Sequence, residues 1–226
     1  MPMSNQNKTN IEWIKYKKIM TEHPQHFAHS KKLEIITDEK MVTDFENNTG
    51  KIIGVNYESE YHIMVVDLVY DGEKYFSYER LLPAVDAGAV VIVPICNGNF
   101  VLLEQFRHAL RDYQYAFPRG FASTGLSAED NCRKELKEEL GCEAKEIVSL
   151  GTVVSDSGLS GDKVNVYLCT VDSYEEHYGH EGICRTIELT ASRFQDYVSE
   201  GKINDGYTLS AYAMYLNKTL NTNKNI

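Results

Sequence analysis

The sequence lacks the features that would direct a chain to a membrane or to a nucleic acid. No apolar run reaches the roughly 20 residues that a membrane-spanning helix needs, and the first 31 residues are polar. The 23 Lys and Arg are outnumbered by 33 Asp and Glu, giving a formal net charge of −10. Such a charge disfavours binding to nucleic acids and anionic membranes. We therefore expect no signal peptide, no membrane helix, and no nucleic-acid or membrane partner.

Paired cysteine motifs and repeats are absent as well. The five cysteines are odd in number and show no C-x-x-C spacing, so we interpret them as free thiols in a reducing cytoplasm. The 226 residues, 42% hydrophobic and 25% charged, suffice for one large globular domain or for one domain plus a smaller one. We expect the polar tail, residues 218–226, to be disordered.

What the chain does have is a glycine-containing loop that leads into a short acidic helix, Phe117–Cys142. Ser127 is a good N-cap, Asp130 completes a capping-box pattern, and Gly141 stands where a helix C-terminal glycine belongs. Cys132, Leu136 and Leu140 form a stripe that can face a core.

Three carboxylates of this helix, Glu135, Glu138 and Glu139, stand at i, i+3 and i+4 and are predicted to share one face. Like charges this close repel by a few tenths of a kcal/mol per pair. A solvated acidic face is one interpretation. The other is a site for a hard cation such as Mg²⁺, and the glycine loop before the helix favours it because backbone groups can come close there.

The stretch resembles the signature box of the Nudix hydrolases, G-x5-E-x7-R-E-U-x-E-E-x-G-U, where U is apolar. The first glycine falls on Gly120, and the final nine positions fall on Lys134 to Cys142. The resemblance implies that Glu135, Glu138 and Glu139, helped by the carbonyl of Gly120, bind a divalent metal, Mg²⁺ or alternatively Mn²⁺. Leu126 and Lys134 depart from the Glu and Arg that brace the loop in this family. Apolar packing by Leu126 is an alternative brace.

The resemblance to the ADP-ribose pyrophosphatase branch extends over about residues 88–215. It implies that Arg107, which follows a Gln–aromatic pair, contacts the substrate; the alternative is a surface arginine at a strand end. Arg119, where that branch more often has alanine, is a candidate phosphate ligand or a solvated cation. Ser157 replaces a proline that marks ADP-ribose specificity.

In the same branch a mobile loop carries a glutamate that acts as general base or extra metal ligand. Here the polar segment Asp172–Glu181 matches that loop, and Glu181 fits best because a strand is predicted to follow it. Glu175 and Glu176 are rivals. The predicted catalytic residues are therefore Glu138, Glu139 and Glu181.

The resemblance implies a Nudix α/β/α sandwich with a mixed sheet, residues 85–217, after a small β-rich accessory region, residues 1–84, that commonly swaps or packs across a homodimer. Trp13 either packs in this region or stacks on a nucleotide base. The expected reaction is metal-dependent hydrolysis of a nucleoside diphosphate derivative, with ADP-ribose, cleaved to AMP and ribose 5-phosphate, as leading substrate. Another nucleotide substrate, or a non-catalytic nucleotide-binding module, remains open.

Overall fold

The chain forms two compact units. A computed structural model describes residues 11–175 and 181–223. The first unit is the stretch up to Asp86 together with Asp156–Asp162, and the second comprises Ala87–Ser155 and the stretch from Lys163 onwards. No helix within the described residues has the length and apolarity to cross a bilayer.

The first unit is an antiparallel sheet with two helices. Its elements are α1 (Ile11–Glu22), a 3-10 turn (Pro24–Phe27), β1 (Glu34–Ile35), α2 (Glu39–Thr49), β2 (Gly54–Glu58), β3 (His62–Tyr70) and β4 (Tyr75–Pro83). The long strand β3 pairs with β1, β2 and β4, all antiparallel. The turn between β3 and β4 is held by the Asp71 carboxylate, which accepts hydrogen bonds from the backbone N–H groups of Glu73 and Lys74 at 2.9 Å each.

The only tryptophan of the chain packs inside this unit. Trp13 is 7% exposed and its ring stacks on Tyr16 with centroids 5.1 Å apart. The hydroxyl of Tyr16 donates to the buried Asp67, which is also bonded to the Arg80 guanidinium. The ring of Trp13 is thus committed to the core, which contradicts the alternative that it stacks on a nucleotide base.

The second unit is built on a seven-stranded mixed sheet. Its strands are β5 (Val90–Cys96), β6 (Asn99–Arg107), β7 (Asp112–Ala116), β8 (Arg119–Gly120), β9 (Glu146–Val153), β10 (Val164–Val171) and β11 (Ile183–Leu189). Its helices are α3 (Ala128–Leu140), α4 (Ala191–Ser199) and α5 (Gly206–Asn223). The order is β11-β6-β5-β10-β9, with β7 on β6 and β8 on β5. Strands β5 and β10 run parallel and the other pairs antiparallel.

Alternate residues of β5 face opposite helices. Val91 and Val93 join a core with Phe194 of α4 and Tyr212 of α5. On the other face, Ile92 joins a core with the apolar stripe of α3. Helices thus cover both faces of a mixed sheet, which confirms the predicted α/β/α sandwich and β-rich N-terminal region.

Several element boundaries differ from the predictions. Strands β2, β7 and β8 have no clear signal in the sequence, because each is short and none alternates clearly between apolar and polar residues. Helix α5 includes residues 218–223 of the tail that was expected to be disordered, and residues 224–226 lie outside the described residues. All five cysteines are free and only Cys184 is exposed.

The segment Asp156–Asp162 leaves the second unit and pairs with β4 of the first. Leu81 donates its N–H to the carbonyl of Leu159 at 2.8 Å and accepts from the N–H of Gly161 at 3.0 Å. The Tyr78 hydroxyl donates to the carbonyl of Gly158 at 2.6 Å. The segment that carries Ser157 in place of the branch's proline is therefore a structural part of the first unit.

Candidate active site

Helix α3 is delimited by the caps that the sequence predicts. The Ser127 hydroxyl accepts the N–H of Asp130 at 3.1 Å. Gly141, in the left-handed conformation (φ 59°), and Cys142 donate their N–H groups to the carbonyls of Lys137 and Leu136. These caps set where the helix begins and ends, and hence which side chains face the sheet.

The three helix carboxylates do not share one environment. Glu135 and Glu139 are buried, whereas the Glu138 side chain is 47% exposed. The two buried positions are one helical turn apart, next to the apolar stripe of Leu136 and Leu140. Glu138 lies on the solvent side of that pair, and its carboxylate accepts from the Lys134 ammonium at 2.7 Å.

Glu139 sits in an environment that disfavours its negative charge. Burial, and then the neighbouring charge of Glu135, raise the pKa of Glu139 to about 8. The backbone N–H of Arg119, 3.1 Å from Oε2, and the charge of Arg107 oppose this shift without cancelling it. Burial also raises the pKa of Glu135. A bound cation would stabilise both carboxylates in their charged form.

Gly120 lies directly against Glu135. Strand β8 pairs Gly120 with Val90 of β5, which places the backbone beside helix α3. A Cβ atom at this position would lie 2.1 Å from Cδ and 2.2 Å from Oε1 of Glu135. Only glycine lets the loop approach the carboxylate this closely.

The two positions that depart from the Nudix box behave in unexpected ways. Leu126 is 40% exposed, and the apolar bracing considered for it stays a prediction. Lys134 bonds to the helix carboxylates instead of to the loop, with Nζ 3.1 Å from Glu135 Oε1 and 2.7 Å from Glu138 Oε2.

Asn131, which the sequence analysis missed, holds the loop. Its side chain is fully buried, and its Nδ2 donates to the carbonyls of Gly88 at 2.9 Å and Phe121 at 2.8 Å. The Ser123 hydroxyl donates to its Oδ1 at 3.4 Å. The sequence offers no signal for this role, because Asn131 lies outside the predicted apolar stripe of Cys132, Leu136 and Leu140.

Two arginines lie near the buried carboxylates. Burial, followed by the charge of Arg119, lowers the pKa of Arg107 to about 10, and the charges of Asp205, Glu139 and Glu181 oppose this shift. The guanidinium therefore stays protonated at neutral pH. Its buried Nε has no hydrogen-bond partner among the described residues.

Arg119 is oriented by the start of helix α5. Its Nη1 lies 3.0 Å from Asp205 Oδ1, and its guanidinium lies over the Tyr207 ring, 5.2 Å from the centroid. Asp205 Oδ2 accepts from the N–H and hydroxyl of Thr208 at 2.8 and 2.7 Å. Asp205 was not predicted, because 86 positions separate it from Arg119.

Glu181, two residues before β11, acts on the same cluster. Its charge raises the pKa of both Glu135 and Glu139, so the three carboxylates act on one another. Its rival Glu175 bonds through its backbone N–H to the carbonyl of Leu140, at the end of α3. Glu176, the other rival, lies outside the described residues.

The donor chemistry of the cluster fits a divalent cation in part. A hard cation would stabilise the two buried carboxylates, whose pKa values are raised. The backbone at Gly120 comes close enough to one of them to add an oxygen ligand. Within residues 11–175 and 181–223, however, no three His, Cys, Asp or Glu side chains converge as a ready-made metal site. The Glu138 carboxylate, bonded to Lys134, would have to turn to complete the set.

The mixed sheet between helices and the glycine loop that meets the acidic helix define a Nudix-type domain, and residues 86–181 match the description of the NUDIX domain. The match falls on this domain and leaves residues 1–85 outside it. A solved structure described as an ADP compounds hydrolase shares the fold, with a TM-score of 0.62 and 19% identity over 76% of this chain and 93% of that one.

Three known proteins are similar in sequence. The chain is 29% identical over 111 residues to the ADP compounds hydrolase NudE of Escherichia coli (strain K12), covering 49% of this chain and 59% of that protein. It is 27% identical over 128 residues to the methanol dehydrogenase activator of Bacillus methanolicus, 55% of this chain and 69% of that one. It is 24% identical over 131 residues to the ADP-ribose pyrophosphatase of Bacillus subtilis (strain 168), 56% of this chain and 70% of that one.

Proposed function

We propose that the chain hydrolyses the pyrophosphate bond of a nucleoside diphosphate derivative, with ADP-ribose as the leading substrate and AMP and ribose 5-phosphate as products. The observation that supports this is that two buried carboxylates, Glu135 and Glu139, lie close to the charged guanidinium of Arg107, on which the charge of Arg119 also acts. Carboxylates suit a hard cation and guanidinium groups suit phosphate oxygens. Two of the similar proteins are named for ADP compounds and for ADP-ribose.

The proposed cofactor is Mg²⁺, with Mn²⁺ as the alternative. The carbonyl of Gly120 and the carboxylates of Glu135, Glu138 and Glu139 would hold it. When bound, such an ion neutralises phosphate charge and lowers the pKa of a water nucleophile. The chain itself keeps these carboxylates close together. They repel one another when charged, and the bound ion would offset this repulsion.

In this proposal the two arginines bind the diphosphate. Arg107 offers a charged guanidinium with an unsatisfied Nε, which gains a hydrogen bond when a phosphate oxygen arrives. Arg119 is fixed by Asp205 and Tyr207, so little side-chain entropy is lost when it contacts a phosphate. Glu181 is the proposed base that accepts the proton of the attacking water, since its carboxylate is exposed and acts on the same cluster.

The test is turnover of a nucleotide panel with Mg²⁺ or Mn²⁺: ADP-ribose, NADH, sugar nucleotides and diadenosine polyphosphates. We expect ADP-ribose to be cleaved fastest, and E138Q to lose metal-dependent turnover. E143Q is the matched control, because Glu143 is an exposed glutamate just beyond α3 and its loss should leave the rate unchanged. Preferential cleavage of another nucleotide would replace the substrate. Full activity of E138Q would contradict the proposed metal ligands.

The second candidate is a non-catalytic nucleotide-binding module. It is favoured by Lys134, whose ammonium bonds to two of the three proposed carboxylate ligands, Glu135 and Glu138. Calorimetry with ADP-ribose distinguishes the two: binding without turnover under any metal condition supports the module. A cytoplasmic homodimer without nucleic-acid or membrane partners remains a prediction from the sequence, and sedimentation of the purified chain measures its oligomeric state.

A further inference from the structure

A buried glutamine on β6 is bonded to the residue proposed as base. Gln105 is 4% exposed, and its Nε2 donates to the backbone carbonyl of Glu181 at 2.8 Å. Its Oε1 has no hydrogen-bond partner among the described residues. Burying an amide with an unsatisfied acceptor costs roughly 1–3 kcal/mol. Packing alone would be served better by an apolar side chain, so the bond to Glu181 is the feature that distinguishes this residue.

The backbone at Glu181 needs such an external contact. Glu181 has φ 48° and Gly182 has φ 78°, so two consecutive residues lie in the left-handed region. For a residue with a Cβ this costs about 1 kcal/mol. The N–H of Phe106 donates to the carbonyl of Gly182 at 2.9 Å, and a Cβ on residue 182 would lie 2.9 Å from the carbonyl of Phe106.

Gln105 and Phe106, which are adjacent on β6, therefore donate hydrogen bonds to the carbonyls of Glu181 and Gly182, which are adjacent in the turn before β11. The regular pairing of β6 with β11 begins at Ile183, which lies opposite Gln105. Its register shifts between Ile183 and Arg185. The next residue of β6 is Arg107, the proposed phosphate ligand. Gln105, which bonds to the Glu181 backbone, and Arg107, which carries the guanidinium, are thus only two residues apart on β6.

We propose that Gln105 is a positioning residue: its amide fixes the backbone of Glu181 so that the carboxylate faces Glu135, Glu139 and Arg107. The inference rests on the proposed function, because it assigns Glu181 a role in turnover. Gln105 itself contacts no reacting atom.

The kinetic test is a double-mutant cycle between Gln105 and Glu181. Q105M keeps the length of the side chain and adds no charge, but it removes the N–H donor. We expect kcat to fall at least tenfold with KM changed less than twofold, and Q105M to cost less than twofold once Glu181 is replaced in E181A. An equal loss in both backgrounds would overturn the proposal.

The matched control is Gln114, which lies directly opposite Gln105 on β7. It is also a buried amide, 8% exposed, and its Nε2 donates to Asn204 at 2.8 Å, away from Glu181. Q114M should therefore change kcat by the same factor in the wild type and in E181A. Coupling of Q114M to E181A as strong as that of Q105M would show a general loosening of the sheet and would contradict a specific role.

A second measurement does not depend on turnover. Hydrogen exchange of the Phe106 amide reports its bond to the Gly182 carbonyl, and we expect exchange at least tenfold faster in Q105M and unchanged in Q114M. Unchanged exchange in Q105M would overturn the positioning role. If the wild type cleaves no nucleotide, the proposed function fails, and this exchange rate alone decides whether Gln105 fixes Glu181. Q105N, whose shorter amide cannot reach the carbonyl, replaces Q105M if that variant does not fold.

Discussion

A single missing Cβ at Gly120 determines where the Glu135 carboxylate lies. Because the atoms that G120A would strike, at 2.1–2.6 Å, are the end of a flexible side chain, Glu135 can rotate away. We expect G120A to change the free energy of unfolding by less than about 1 kcal/mol, yet to lower turnover and Mn²⁺ affinity by roughly tenfold or more, as seen when a metal ligand is misplaced.

The control for G120A is G206A, at the exposed first position of α5. A Cβ there meets nothing within 4 Å, and the residue has no positive φ. It should be neutral or stabilise by up to about 1 kcal/mol with unchanged turnover. Equal turnover of G120A and wild type would remove Gly120 from the proposed metal site.

The raised pKa of Glu139 predicts how the metal-free protein responds to pH. The folded state holds this proton more tightly than the unfolded chain, so the stabilisation is complete below the unfolded pKa of about 4.3. It is lost as the pH rises to about 8, the pKa of Glu139 in the folded protein. At about 1.4 kcal/mol per pKa unit, the loss amounts to a few kcal/mol.

Urea unfolding in EDTA at pH 5, 7 and 8.5 measures this dependence. We expect stability to fall across the series in the wild type and to stay flatter in E139Q, whose side chain cannot ionise. Added Mg²⁺ should stabilise the wild type most at pH 8.5, because it binds the folded, ionised form. Parallel pH profiles for the two proteins would contradict the raised pKa.

At the scale of elements, the loop between β8 and α3 depends on Asn131. Replacing it in N131A leaves the carbonyls of Gly88 and Phe121 without this donor, at about 1–3 kcal/mol for each unsatisfied buried group. We expect a loss of about 2–4 kcal/mol in the free energy of unfolding. L126A, at the exposed box position of the same loop, should cost no more than about 0.5 kcal/mol. The reverse ranking would mean that Leu126 braces the loop after all.

Elements with local signals were predictable, and contacts across the chain were not. Helix α3 was recognisable because Ser127 and Gly141 mark its ends, and β5 because its apolar run is continuous. The Glu135–Glu139 pair followed from helical spacing. Gln105, Asn131 and Asp205 have no local pattern, since their roles depend on partners tens of positions away.

At the scale of the whole molecule, the sequence predicted a β-rich region before the sandwich but not that a later segment would belong to it. Residues Asp156–Asp162 pair with β4, although both neighbouring strands, β9 and β10, lie in the second unit. The Ser, Gly and Asp residues of this segment are typical of a loop. These side chains do not indicate which strand the loop pairs with, because its hydrogen bonds to Leu81 are made by backbone groups.

This excursion of the chain has a consequence for synthesis. The N-terminal unit is incomplete when Asp86 leaves the ribosome, because its last strand edge waits for Asp162. At about 5–20 residues per second, the roughly 75 intervening residues take about 4–15 s. During that interval the nascent first unit exposes the backbone of β4 at Leu81 to whatever other chain or chaperone is near. The N-terminal unit, although its own strands are synthesised first, thus gains its full set of native contacts only after Ala87–Ser155 of the second unit has been made.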